Sequence, residues 1–396
     1  MNPARPRDLI DRLPGSKIRE VANAALGRPD VLAFWFGESD EVTPAPIREA
    51  GAASLSAGQT FYSHNLGLPE LRDAIAMAMA ALHGDIGADR IAVTSGGVNG
   101  LMIAMQALVG AGDEVVAVVP LWPNLTAQAS ILGADVRRVS LRVDADGAWV
   151  LDLPALLSVV TERTRVLLLN APNNPTGWTL GAAEQAAILA HCRRTGTWIV
   201  ADEVYERVYF GPPGAAADGP ARAAPSFLDL AGPGDRLVVV HSFSKSFLMT
   251  GWRLGWMVMP PSLTPSVGKL IEFNTSCTPV FVQRAGLAAL ALGEPLVQTV
   301  VAQLRRGRDT LLPLLAATPG VRVAVPHGGM YAFFQVDGEP DSLAFAQRLV
   351  REAGLGLAPG AAFGDEGEGW LRWCYASRDP ARLVEGVERL RRGLGL

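Results

Sequence analysis

Apolar positions between residues 91 and 259 fall in short unbroken blocks rather than in strict alternation. IAVTS (91–95), EVVAVV (114–119), VLLLNAP (166–172), TWIVADEV (197–204), RLVVVHSF (236–243) and WRLGWMVM (252–259) each read as a strand. Continuous apolar blocks are expected where both faces of a sheet are covered, because a strand wet on one side would alternate. Between the blocks lie stretches of helical length: GGVNGLMIAMQALV (96–109), stopped by GAGD, and LGAAEQAAILAHCRRTG, ending at Gly196. This order predicts an α/β fold with a mostly parallel sheet sandwiched by helices. In such sheets, functional groups collect at the strand ends and in the loops that follow.

The two ends of the chain have a different pattern. An arm rich in Pro and Gly leads into the helical SKIREVANAAL (16–26). Near the other end come the amphipathic PLVQTVVAQLRRGRDTLLPLLAA (295–317), then GVRVAV, GMYAFFQV, a helix near 341–353, and WLRWCYAS. The expected division is a large domain over 46–288, with 1–45 joining 289–396 as an N-terminal arm and a smaller α+β domain. GPPGAAADGPARAAPS (211–226) is expected to be a surface loop.

A chain of 396 residues has room for two domains. Its net charge of -4 is too weak to point to nucleic acid or an anionic membrane as a partner. MNPARPRDLIDRLPGS lacks a signal-peptide core, and no run of about 18 apolar residues appears. Cys192, Cys277 and Cys374 are far apart and form no Cys-x-x-Cys pair, and no His-x-x-x-His spacing occurs. No metal site or disulfide is therefore expected, and the setting is read as reducing and cytoplasmic.

Candidate chemistry lies at the ends of the apolar blocks. Lys245 follows one of them, among Ser242, Ser244 and Ser246, with Arg253 eight positions on. A lysine desolvated near other cations has a lowered pKa and can attack an aldehyde or ketone as a nucleophile. Asp202 ends another block, where it can pair with a positive nitrogen, and Tyr205 stands one helical turn further on. Asn173 and Asn174, beside Pro175-Thr176-Gly177, put two carboxamides at a third strand end. Ser95-Gly96-Gly97 runs from strand to helix and so offers N–H donors and a positive dipole end to an anion. Trp122 closes a fourth strand, where it can stack on a flat ring.

Taken together, Asn-x-Pro-Asn-Asn-Pro-Thr-Gly, Ala-Asp-Glu-x-Tyr, Ser-x-Ser-Lys with its later arginine, and Leu-Arg-Trp resemble the class I/II aminotransferases of the aspartate aminotransferase superfamily. These are pyridoxal 5'-phosphate enzymes of fold type I. The motifs occur in the family's order between Gly37 and Arg372, nearly the whole chain. The resemblance implies that Lys245 holds the cofactor covalently and that Asp202 pairs with its ring nitrogen. It places Tyr205 and Asn174 on the ring oxygen, and Trp122 on the ring face. Gly97, Val98, Ser242, Ser244 and Arg253 would hold the phosphate, joined by Tyr62 from the neighbouring subunit of a homodimer with shared sites. Arg372 would bind the substrate α-carboxylate with Asn174, Gly37 would approach the substrate through its backbone, and Ile18 would line the pocket. Ser39 departs from the family in standing where a proline is common.

The implied reaction moves an amino group from an L-amino acid to a 2-oxo acid in ping-pong fashion, via pyridoxamine phosphate. Two other readings use the same residues. One is a β-lyase, synthase or decarboxylase on the same scaffold. The other is a ligand-sensing regulator, which would need a DNA-binding domain that the short arm of this slightly acidic chain does not supply. EFNTSCTPVFVQ (272–283) has no Lys or Arg to bind a second carboxylate, which leans the donor towards a neutral aliphatic or aromatic amino acid. Lys17 and Arg19 in the arm keep aspartate open.

Overall fold

The computed structural model describes residues 4–145, 147–211 and 222–396. Most of the 211–226 segment, expected to be a surface loop, lies outside the described residues.

Seven strands form the central sheet in the order Ile91–Thr94, Gly255–Val258, Leu237–Ser242, Trp198–Asp202, Thr164–Asn170, Glu114–Val119, Asp135–Ser140. Gly255–Val258 runs antiparallel to both neighbours, and the five strands beyond it pair in parallel. The apolar blocks are buried along their length, as continuous patterning requires when helices cover both faces. Asp135–Ser140 was not visible as a block. DVRRVS is the sheet's edge strand and keeps mostly exposed polar side chains, so no apolar run marked it.

The expected strand over 252–259 begins three residues later than its apolar letters suggested. Thr250–Trp252 is a turn of 3-10 helix and Arg253 is left-handed, with φ 54°. The register places Asn170 beside Asp202, and Asp202 beside Val240. Thr94, Val119, Asn170, Asp202 and Ser242 therefore end at one rim of the sheet.

A second, antiparallel sheet has the order Val321–Val323, Tyr331–Val336, Trp370–Cys374, Ala358–Pro359. The helix expected from residue 295 starts earlier, at Val280, and runs to Ala316 with a break at Gly293, φ 53°. By length and composition this helix could cross a bilayer. Its apolar stripe, including Val282, Ala289, Val300, Leu304 and Leu311, is instead buried against the helices Ala45–Ser56 and Pro380–Gly393.

Candidate active site

A cavity of about 660 Å³ opens at the rim where the strands end. Of the residues singled out from sequence, Ile18, Gly37, Gly97, Val98, Trp122, Asn174, Asp202, Tyr205, Ser242, Ser244, Lys245, Arg253 and Arg372 all line it. Tyr62 does not; it is 86% exposed on the surface of the single chain.

One end of the cavity is a cradle for an anion. Gly96 has φ 90° and introduces the helix Gly97–Leu108. A side chain at Gly96 would meet the Arg253 guanidinium at 2.3 Å, so glycine there lets the arginine lie against the helix N-terminus. Ser242 and Ser244 sit beside it with their hydroxyls 2.9 Å apart. Among the described residues, Arg253 makes only a neutral hydrogen bond, to the Thr250 carbonyl at 2.7 Å. Converging N–H groups, hydroxyls and an arginine with no carboxylate of its own suit a phosphate.

The floor of the cavity carries the titratable groups. Asp202 is 3% exposed, and burial pushes its carboxyl up to about 7, against the Val204 amide and the charge of Lys245. Lys245 donates to the Gly37 carbonyl at 2.6 Å. Burial, reinforced by Arg372 and Arg253, pulls its amine down to about 8 despite the opposing pull of Cys374 and Glu38. Tyr205 bonds to the Tyr331 hydroxyl at 2.6 Å. Burial holds the Tyr205 phenol well above its ordinary range, so it remains a donor. The residues after Asp202 form turns rather than the helical turn that the Asp202–Tyr205 spacing suggested, yet both side chains still face the cavity.

The two carboxamides part company. Asn173 is buried in the turn, where its Oδ1 accepts from Thr176 at 3.0 and 2.8 Å, so it holds the loop and faces no ligand. Asn174 reaches the cavity and accepts from Arg372 at 2.8 Å. Asn170, the first residue of the Asn-x-Pro-Asn-Asn-Pro-Thr-Gly motif but assigned no role from sequence, supports it: its side chain accepts from the Asn174 amide at 2.8 Å and donates to the Asp202 carbonyl at 3.0 Å.

The opposite wall comes from the smaller sheet and the N-terminal segment. Arg372 is 2% exposed, and its partners are neutral: Asn174, the Trp35 carbonyl, and the rings of Tyr331 and Phe363 at 4.3 and 4.8 Å. Its Nε has no hydrogen-bond partner among the described residues. A buried guanidinium without a counter-ion is poised for an incoming carboxylate. Tyr331, Phe36 and Glu38 also line the cavity and were missed. GMYAFFQV reads simply as a core strand, and only the structure ties Tyr331 to the site, through its bond to Tyr205 and its passage where Gly37 has no side chain. Of the two arm cations, Arg19 reaches the cavity and Lys17 does not line it.

Residues 32–390 match the family model described as aminotransferase class I and II. An aspartate aminotransferase of Pyrococcus horikoshii is 32% identical over 383 residues, covering 96% of this chain and 94% of that protein. An arginine–pyruvate transaminase of Pseudomonas aeruginosa is 34% identical, covering 94% of this chain and 90% of its own. Among solved structures, an aspartate aminotransferase of Thermotoga maritima superposes with a TM-score of 0.87 at 30% identity, covering 99% of this chain and all of that one.

Proposed function

The chain belongs to the class I and II aminotransferases, enzymes that exchange amino groups between amino acids and 2-oxo acids, and from that premise we propose how its own residues divide the work. The observation that carries the reading is one cavity holding a depressed lysine, a buried carboxylate that makes no ion pair among the described residues, and two arginines without counter-ions among those residues. Pyridoxal phosphate fits these groups. The cradle of Gly97, Val98, Ser242, Ser244 and Arg253 would take its phosphate, Trp122 its ring face, and Tyr205 with Asn174 its ring oxygen. When bound, the cofactor supplies an electron-withdrawing ring beside the substrate's Cα.

Asp202 holds a proton on the ring nitrogen. A cation there replaces the partner that the buried carboxylate lacks, and draws its pKa back down. Lys245 anchors the cofactor through Nζ. Once the substrate amine has replaced it, Lys245 is a free base that takes the proton from Cα, and a pKa near 8 suits that task. Arg372 orients the α-carboxylate by a two-pronged ion pair with Asn174 at its side, which fixes the Cα–H bond relative to Lys245. Gly37 brings its carbonyl to the lysine, and Ile18 covers the substrate's side chain from the helix Lys17–Asn23.

The donor is proposed to be a neutral aliphatic or aromatic amino acid, with Ile18 and Phe36 as its apolar wall, and aspartate is the alternative that Arg19 in the same cavity supports. The active unit is proposed to be a homodimer. Tyr62 and Phe61, 86% and 83% exposed, support a surface that a second subunit covers, where Tyr62 would reach that subunit's phosphate. A reducing, cytoplasmic setting is supported by three unpaired cysteines. The test of the assignment is chemical: borohydride reduction of the holoenzyme should fix cofactor mass on the peptide containing Lys245, and Lys245→Ala should lose that mass. Label on another lysine, with Lys245 unmodified, would refute it.

A further inference from the structure

Behind the strand ends, on the side away from the cavity, lies a cluster of acids and histidines, buried except for Asp229, whose side chain is 42% exposed. The turn after Trp198–Asp202 sends Asp202 and Tyr205 into the cavity, and sends Glu203 and Glu206 the opposite way. Glu206 is bonded by His83 Nε2, and His83 Nδ1 bonds Asp229 at 2.6 Å. The His83 side chain is 2% exposed. His83 ends the helix Pro69–His83, and Asp229 belongs to the short turn Phe227–Asp229, so three separate segments meet at one imidazole. Glu203 accepts from the Ser226 hydroxyl at 2.6 Å and the Phe227 amide at 3.2 Å. His241, directly before Ser242, turns its Nδ1 to Glu206 at 3.5 Å and stacks on Trp256 with ring centres 5.0 Å apart.

Both ring nitrogens of His83 face carboxylates. A neutral imidazole carries one N–H and can satisfy only one of them, whereas an imidazolium satisfies both. The clamp thus exists only while His83 is charged. One attachment point, Glu206, directly follows Tyr205, and its neighbours in the cluster, Glu203 and His241, directly follow Asp202 and directly precede Ser242.

Resting on the assignment of those three residues to the cofactor, we propose that His83 is a positioning residue for transamination: as an imidazolium held between Asp229 and Glu206, it fixes the turn that presents Asp202 and Tyr205. The titratable and charged groups around it are Glu203, Glu206, Asp229, His241 and, through Glu206, Arg207. The carboxylates overcome burial and raise His83 to about 9. A raised histidine stabilises fully below its unfolded pKa of about 6.5, and that contribution is lost as pH climbs through about 9. His241 stays neutral, because burial lowers it to about 4, so it does not share the titration.

The test uses holoenzyme, following cofactor release by its visible absorbance across pH. In the wild type, release should accelerate as pH passes about 9. His83→Gln should release about tenfold faster, as is typical when a partner behind a ligating group is lost, and without that pH step. Asp229→Asn keeps the Glu206 contact but removes one anion, so it should move the step to lower pH, and it serves if His83→Gln does not fold. A lowered melting temperature with release kinetics and pH step like the wild type would overturn the proposal. Wild-type protein that takes up no cofactor would overturn the site assignment and this inference with it.

Discussion

The two walls of the cavity were built by different means. The wall at the sheet rim is made of local strings, each a strand followed by a turn: Ser95-Gly96-Gly97, Asp202 to Tyr205, Ser242 to Lys245. The facing wall joins Ile18 and Gly37 from one end of the chain to Tyr331 and Arg372 from the other, and these pairs meet only through tertiary packing. On the first wall, charge is positioned by the backbone. On the second, it is held by side chains from other segments, as where Arg372 rests on Asn174, Trp35 and Tyr331. The first wall should therefore govern the chemical step, and the second should govern how substrate is held.

That contrast can be broken by experiment. The largest effect is expected on the rim wall. Asp202→Ala should fold, since burying an acid costs stability rather than adding it. It should lower kcat by about 10³-fold, or about 4 kcal/mol of transition-state stabilisation, with little change in KM. A fall of less than tenfold in steady-state kinetics would remove Asp202 from the ring nitrogen.

On the facing wall, Arg372→Lys keeps the charge and loses the planar fork. It should raise KM for amino and oxo acids by about 10- to 100-fold with a smaller change in kcat. Unchanged KM values would mean that the carboxylate binds elsewhere. The smallest effect sharpens the comparison by asking whether a third wall comes from another subunit. Lys245→Ala mixed with a Tyr62→Ala chain should, after exchange, yield hybrids with one native site, and recover about a quarter of the wild-type activity. No recovery despite exchange, followed by native mass spectrometry, would leave Tyr62 in its own subunit.

Legibility followed the same line. Lys245, Asp202 and the Ser95-Gly96-Gly97 turn could be found because a strand end and its turn are contiguous in sequence. Asn174 was found beside Asn173, but their roles separated only when Asn173 turned out to bond Thr176 within the loop. The strand Asp135–Ser140 escaped because an edge strand keeps polar side chains in water. His83 gave no signal at all, since its partners Glu206 and Asp229 lie 123 and 146 residues away.

The sequence by itself determined the covered parallel sheet, through its unbroken apolar blocks, and the strand-end residues that line the cavity, through turn chemistry and local order. Only the tertiary structure decided that Tyr331 must pass where Gly37 has no side chain. It also decided that Arg372 has neutral partners, that Arg19 rather than Lys17 reaches the cavity, and that Glu206 is clamped by a doubly bonded histidine. The physical reason is range. Backbone propensity and turn geometry act over a few residues, whereas desolvation and charge pairing depend on which distant segments the packed core brings together.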